Sequence, residues 1–404
     1  MLVSRVVARS AENPQVARFL SSKNLWNKTH TPQRVRARAH VMDQMNGDKG
    51  HHGHDTHAMP PQAICNAYKK YQKMDDKDVE NDLEVLDFNR GLSDEQREKL
   101  VEVGIVKSEI IAEAQAAFKE VGDEEVAETA DPVPSCIVYE HKDFPGLKLL
   151  PSLLPPECQV LLLSKLMHRD LSNAEHKTNI SQDYHIPFPP QGKSLFSLPP
   201  ASQKHIFNPK VAGSRHKPLQ ATQVLHKKLR WLTLGAQYDW PTRSYPSRGE
   251  TQTHFPEDIS KLVNALFPTF RPESGVVLLY STKDYMPVHR DVSEECQKDL
   301  ASFTLGCDGL FIIARDFDGL TEEEKQNEDR DMKTVVIRVR SGDVVQMGGE
   351  TRWAWHAMPK IIGSTAPDAM SEWPVGQNTP KEYEKWRGYM RTKRLNISCR
   401  QVWD

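Results

Sequence analysis

The chain contains no Cys-x-x-Cys pair. Its six cysteines, Cys65, Cys136, Cys158, Cys296, Cys307 and Cys399, are scattered. That argues against both a zinc ribbon and a disulfide framework and for a reducing compartment. No stretch approaches the roughly 18 consecutive apolar residues a membrane span requires, so no transmembrane helix is expected. A surplus of one charge is missing too, since 53 Lys and Arg face 55 Asp and Glu in 404 residues, for a net charge of -2. The length accommodates two or three domain-sized pieces, or one elaborated catalytic domain with a long extension.

With the total balanced, the distribution of charge carries the information. Residues 1–41 hold eight Lys or Arg against the single acid Glu12, the composition of an amphipathic presequence. Arg18-Phe19-Leu20-Ser21-Ser22 is similar to a mitochondrial processing site, while Met42 and Met45 offer alternative starts. The His-rich tract His51-His52-Gly53-His54-Asp55-Thr56-His57 fits a disordered segment better than a metal site. Residues 75–131 are acidic and read as helical. Ser93-x-x-Gln96 forms a capping box, Gly104 is expected to close that helix, and Ser108 opens another. Residues 201–250 carry nine Lys or Arg against two acids, beside an aromatic stretch from Trp231 to Trp240. A nucleic-acid backbone lying across an active-site mouth fits this pattern, and so does a solvated, solubilising loop.

Prolines 132, 134, 151, 155 and 156 mark the entry to the C-terminal part. Beyond them the sequence predicts an amphipathic helix over Glu157–Leu171, then a proline-broken loop from Ile186 to Pro200. Short β-rich strands are predicted over Gly275–Tyr280, Ser302–Cys307, Leu310–Ala314, Thr334–Arg340 and Asp343–Met347. Such strands suggest a two-sheet jelly roll. Thr321–Asp331 reads as an acidic surface insertion.

The chemistry concentrates in three places. In Val288-His289-Arg290-Asp291, side chains two apart on a strand share a face, so His289 and Asp291 can grip one metal ion. His356, in Trp353-Ala354-Trp355-His356, is the third candidate. Two histidines and a carboxylate on one side of a metal form the facial triad of non-haem Fe(II) oxygenases. At the end of the chain, Arg394, Asn396, Ser398 and Arg400 alternate with Leu395, Ile397 and Cys399. By itself this segment reads as an edge strand with a solvated polar face. Coupled to a triad, the same face becomes the floor of a cavity for a dianionic acid, because guanidinium binds carboxylate in a bidentate way and stays charged.

Taken together, His289-x-Asp291, His356 and Arg394-x-Asn396-x-Ser398-x-Arg400 resemble the motifs of the AlkB family of Fe(II)- and 2-oxoglutarate-dependent dioxygenases, most closely its eukaryotic subgroup called AlkB homologue one. The resemblance covers roughly residues 145–404. It implies an α+β chain whose catalytic barrel is a double-stranded β-helix (jelly roll), with flanking helices and a partly disordered N-terminal extension. The organisation expected is a basic, then His-rich, disordered segment over 1–74, an acidic helical region over 75–131 and the dioxygenase over 145–404.

The resemblance further implies that His289, Asp291 and His356 hold Fe(II), and that Tyr280, Arg394, Asn396, Ser398 and Arg400 bind 2-oxoglutarate. Trp231 and Tyr238 stand where the family keeps substrate-side aromatics. The implied reaction is oxidative removal of N-linked methyl groups from bases in tRNA or DNA, using dioxygen and releasing succinate, carbon dioxide and formaldehyde. Two positions depart from the family: Leu278 replaces an asparagine that reaches the cosubstrate, and Ser293 stands where some members place a second acid. Two other readings keep the barrel. A protein hydroxylase would need a pocket without stacked aromatics, and a catalytically impaired nucleic-acid-binding relative would not need all three ligands and both arginines. A nuclear or cytoplasmic location is expected, with the mitochondrion suggested by the basic N-terminus.

Overall fold

The computed structural model describes residues 54, 56–119, 133–250, 253–315, 332–376 and 378–404. The basic arm, His51, His52 and the Thr321–Asp331 insertion lie outside them. In chain order the strands are β1 (Val85–Leu86), β2 (Leu100–Val106), β3 (Cys136–His141), β4 (Phe144–Leu150), β5 (Tyr184–His185), β6 (Ile206–Pro209) and β7 (Leu219–Gln220). Then come β8 (Trp231–Gly235), β9 (Ser274–Ser281), β10 (Met286–His289), β11 (Leu300–Gly306) and β12 (Gly309–Arg315). The last are β13 (Lys333–Val339), β14 (Val344–Met347), β15 (Trp355–Ile361) and β16 (Lys393–Arg400). All five predicted strands are present, as β9 and β11 to β14.

Two large sheets result. One has eight strands in the order β2-β3-β4-β14-β11-β16-β9-β8, the other five in the order β1-β13-β12-β15-β10, and β5-β6-β7 form a small separate sheet. The period-2 alternation of side chains decides what each large sheet faces. Tyr280, Leu300, Val345 and Met347 of the eight-stranded sheet share one buried cluster with Ile313, Ile337, Met358 and Ile361 of the five-stranded sheet. Leu395, Ile397 and Cys399 project from the opposite face of β16, into a cluster with Ile111, Leu162, Leu163, Ile259 and Leu262 of helices Ser108–Phe118, Pro156–Ser164 and Glu257–Leu266. The polar face of β16 is thereby left to the space between the sheets. β16 is an interior strand, paired on both sides with β11 and β9, which corrects the edge-strand reading of that segment.

The N-terminal regions depart from expectation. Gln62–Lys73, within the segment expected to be disordered, is a helix. Its Ile64 and Tyr71 join Leu310, Ile312, Val336 and Trp355 in a cluster on the outer face of the five-stranded sheet. Among its described residues, which end at 119, the acidic region is only partly helical, and the remainder of that expectation lies outside the described residues. Ser93 and Gln96 do form a reciprocal capping box, yet the helix they start ends at Glu98. Gly104 closes no helix but lies inside β2, where the register with β3 shifts between Glu102 and Gly104. Propensity pointed to helix, and tertiary pairing prevailed, because β2 extends the eight-stranded sheet and β1 pairs in parallel with β13. Buried ion pairs lock this region on: the Arg340 guanidinium donates to both Asp87 (2.7 Å) and Asp308 (2.9 Å).

Candidate metal and cosubstrate site

The two large sheets place the three predicted ligands together. His289 ends β10 and lies opposite His356 on β15, with ring centroids 4.3 Å apart. Asp291 follows two residues later, its Oδ1 3.8 Å from His289 Nε2. The ligand atoms of His289, Asp291 and His356 all lie within 4.8 Å of one another, the only such trio among the described residues. Nδ1 of His289 sits 2.8 Å from the Pro287 carbonyl oxygen, and Nδ1 of His356 sits 3.0 Å from that of Ala354. A carbonyl only accepts, so both Nδ1 atoms carry the proton. Each Nε2 lone pair is therefore left for a metal, the usual way an outer hydrogen bond fixes a ligand's tautomer.

Electrostatics favour the ligand forms. Burial, aided by neighbouring His289, pushes His356 down to about 4, so its ring is neutral at physiological pH. Burial opposes charge on Asp291, but Arg400, with His356, His289 and Arg352, outweighs it and holds the carboxyl well below the usual carboxylate range. Arg400 Nη1 stands 3.1 Å from Asp291 Oδ2. One carboxylate oxygen is thus held by a cation, and the other faces the imidazoles.

Arg394, one strand-length along β16, is 2 % exposed. Its Nη2 donates to Thr304 Oγ1 at 2.9 Å, while Nε and Nη1 are buried without a hydrogen-bond partner. Leaving charged donors unmatched in an interior costs about 1–3 kcal/mol or more, so two orphaned guanidinium donors mark a place for an anion. The Tyr280 ring lies 5.6 Å from this guanidinium, from the facing position on β9. Burial draws Arg394 down to about 10, partly offset by Tyr280, and it stays charged at neutral pH. Gly309 makes the room: a Cβ there would fall 2.6 Å from Met358 Sδ and 3.0 Å from Arg394 Nε. These features fit a small dicarboxylate between β16 and the metal ligands.

The other predicted residues are placed differently. Asn396 Nδ2 donates to Ser302 Oγ (2.8 Å) and to the Phe303 carbonyl (2.9 Å), and Ser398 Oγ donates to Ser302 Oγ at 3.2 Å. Their polar atoms brace β16 against β11 between the two arginines. Leu278 packs with the inter-sheet core. Tyr238 reaches Ser293 Oγ at 3.4 Å, close behind Asp291. Trp231 stands with Trp240 at a centroid distance of 5.2 Å, and Tyr238 meets Trp240 and Tyr245 at 5.0 and 5.1 Å. In the basic run beside them, Lys227 and Lys228 are exposed. Arg230, by contrast, is paired with Asp284 at 2.8 Å.

Sequence reasoning missed Thr304, Gly309, Glu294 and Arg352. Glu294 and Arg352 carried one sequence signal, being charged residues within four positions of a ligand, and the structure buries both.

A two-histidine, one-carboxylate face beside a buried, unmatched arginine defines an iron- and 2-oxoglutarate-dependent oxygenase. The chain belongs to the 2OG-Fe(II) oxygenase superfamily, matched over residues 146–400, and within it to the AlkB-like enzymes. An N6-methyladenosine RNA demethylase of Pyricularia oryzae is 37% identical over 361 residues, covering 86% of this chain and 97% of that one. Another protein of that name from Cryphonectria parasitica is 41% identical over 226 residues, 55% of this chain and 98% of its own. A tRNA demethylase of Schizosaccharomyces pombe is 32% identical over 277 residues, 66% and 82% respectively.

Proposed function

We propose that this protein is an oxidative demethylase that removes N-linked methyl groups from nucleic-acid bases, with the paired sheets serving as a double-stranded β-helix. The observation that carries the reading is the coincidence of the His289, Asp291, His356 face with the orphaned donors of Arg394. Support for a nucleic-acid substrate comes from the RNA- and tRNA-demethylase names of the fungal relatives.

His289, Asp291 and His356 would hold Fe(II), and Arg394 would take the distal carboxylate of 2-oxoglutarate, with Tyr280 beside it. When bound, iron, 2-oxoglutarate and dioxygen supply an oxidation of the methyl carbon whose products are succinate, carbon dioxide, formaldehyde and the demethylated base. The chain's own part is positioning. Arg400 keeps Asp291 ionised and turned toward the imidazoles. Asn396 and Ser398 hold the arginine-bearing strand in register. Trp231, Tyr238 and Trp240 offer aromatic faces on which an unstacked base can lie. Incubating the protein with oligonucleotides bearing different methylated bases and measuring formaldehyde tests the reading. Hydroxylation of a peptide with no formaldehyde from any oligonucleotide would replace it with a protein hydroxylase.

The two halves of the substrate surface separate experimentally. Lys227→Ala with Lys228→Ala should flatten the salt dependence of RNA binding, since each neutralised phosphate releases counterions. Turnover at saturation should stay close to wild type. Trp231→Ala should weaken binding by about 1–3 kcal/mol with little change in salt slope, because stacking releases no counterions. Fluorescence anisotropy across a salt series reads both. Identical slopes and affinities in all three proteins would remove this surface from substrate binding.

A further inference from the structure

Behind Asp291 lies a largely buried four-membered charge network, one of whose members, Glu294, has had no part in the chemistry described so far. Glu294 Oε1 is 3.0 Å from Arg400 Nη1, and Glu294 Oε2 is 3.2 Å from Arg352 Nη2. Arg400 therefore stands between two carboxylates, Asp291 at 3.1 Å and Glu294 at 3.0 Å. Arg352 grips the main chain as well. Its Nη1 donates to the carbonyl of Asp291 (3.0 Å) and its Nε to that of Lys298 (2.9 Å), while its guanidinium stacks 4.3 Å above the Trp353 ring. Because Arg352 lies three residues before the strand carrying His356, this one side chain joins the segment bearing Asp291 to the segment bearing His356. The same Asp291 segment is tied to the chain's end, where Glu295 and Cys296 donate from their backbone nitrogens to the Val402 carbonyl.

Two arginines and two carboxylates balance, and that balance bears on a cation a few ångströms away. Without Glu294, two guanidinium groups would face the single carboxylate of Asp291, leaving one positive charge uncompensated beside the metal ligands, and Arg400 would be drawn wholly onto Asp291, weakening it as a donor. We infer that Glu294 and Arg352 are positioning residues of the metal centre: Glu294 shares Arg400 so that Asp291 keeps its donor strength, and Arg352 fixes the spacing of the Asp291 and His356 segments. The inference builds on the metal site proposed above but not on the identity of the substrate.

Metal affinity of the apo-protein, read by titration with Mn(II) and the loss of its free-ion electron paramagnetic resonance signal, tests this without turnover. Glu294→Gln, of equal size, should weaken Mn(II) binding by up to roughly 10-fold, the lower end of the cost of removing a direct outer partner of a metal ligand, because Glu294 acts through Arg400. Glu294→Asp, which keeps the charge, should recover most of the loss. Arg352→Lys keeps charge but lacks the fork that spans two carbonyls, so it too should bind Mn(II) more weakly. Asp258→Asn is the control for a merely structural role. It disrupts another buried ionic cluster, with Lys165 at 2.8 Å and Arg169 at 2.5 Å, and should lower the melting temperature while leaving Mn(II) affinity unchanged. Wild-type affinity in folded Glu294→Gln and Arg352→Lys would overturn the inference, as would an equal loss in Asp258→Asn. If Glu294→Gln does not fold, Glu294→Asp and Arg352→Lys decide between the same outcomes. Should the wild-type protein itself bind no Mn(II), the metal site fails and the inference falls with it, a result distinct from wild-type affinity in the variants.

Discussion

Asp291→Ala should abolish the weak visible charge-transfer band expected when Fe(II) and 2-oxoglutarate are added anaerobically, and with it all formaldehyde release. The carboxylate is the only anionic ligand of the trio, and its removal leaves Arg400 facing the metal with a single carboxylate partner, Glu294. A dication would then meet two neutral imidazoles and a guanidinium, an arrangement in which charge repulsion replaces attraction. Anaerobic absorption spectroscopy of the two proteins side by side is the measurement. A band of equal strength in the variant would remove Asp291 from the ligand set.

Arg394→Ala should have the next largest effect, and on a different quantity. Its charge is nearly unexposed and two of its donors are unmatched, so a carboxylate placed there gains a charge-assisted interaction of about 1.5–3 kcal/mol. At 1.4 kcal/mol per tenfold, the 2-oxoglutarate concentration for half-maximal activity should rise roughly ten- to hundredfold. Arg248→Ala serves as the comparison, because Arg248 is exposed and donates to the main-chain carbonyl of Asp404. Equal 2-oxoglutarate requirements in both variants would refute the role of Arg394. Leu278→Asn adds to the comparison. Leu278 lies opposite Asn396 in the sheet, and tighter cosubstrate binding in that variant would show that a polar group at this position still reaches the chamber.

The placement of the candidate site residues was largely legible in the sequence because strand periodicity fixes faces. His289-x-Asp291 and the alternation from Arg394 to Arg400 each place chemistry on one side of a strand, and the structure brings those sides together between the sheets. What periodicity cannot supply is the partner across the gap. Thr304 holds Arg394 only because β11 pairs with β16 in one register, and Gly309 admits it only because β12 passes close by. Arg230 shows the converse. On paper it belongs to a basic run, but a long-range ion pair with Asp284 takes it. The acidic region was misread for a related reason. The valines and isoleucine from Val101 to Ile105 became a strand because a sheet edge was there to receive them, which local helix signals could not reveal.

The segments ahead of residue 145 alter where the catalytic unit can be cut. A fragment starting near residue 145, where the family match begins, would strip β3 from the flank of β4 and β1 from the flank of β13. Two rows of unpaired backbone amides and carbonyls would open. Loss of the Gln62–Lys73 helix would also bare Leu310, Ile312 and Trp355 on the outer sheet face. Open strand edges beside exposed apolar surface recruit other chains, so the minimal fragment is expected to aggregate, and a fragment that begins upstream of that helix is expected to keep both edges and the outer sheet face covered.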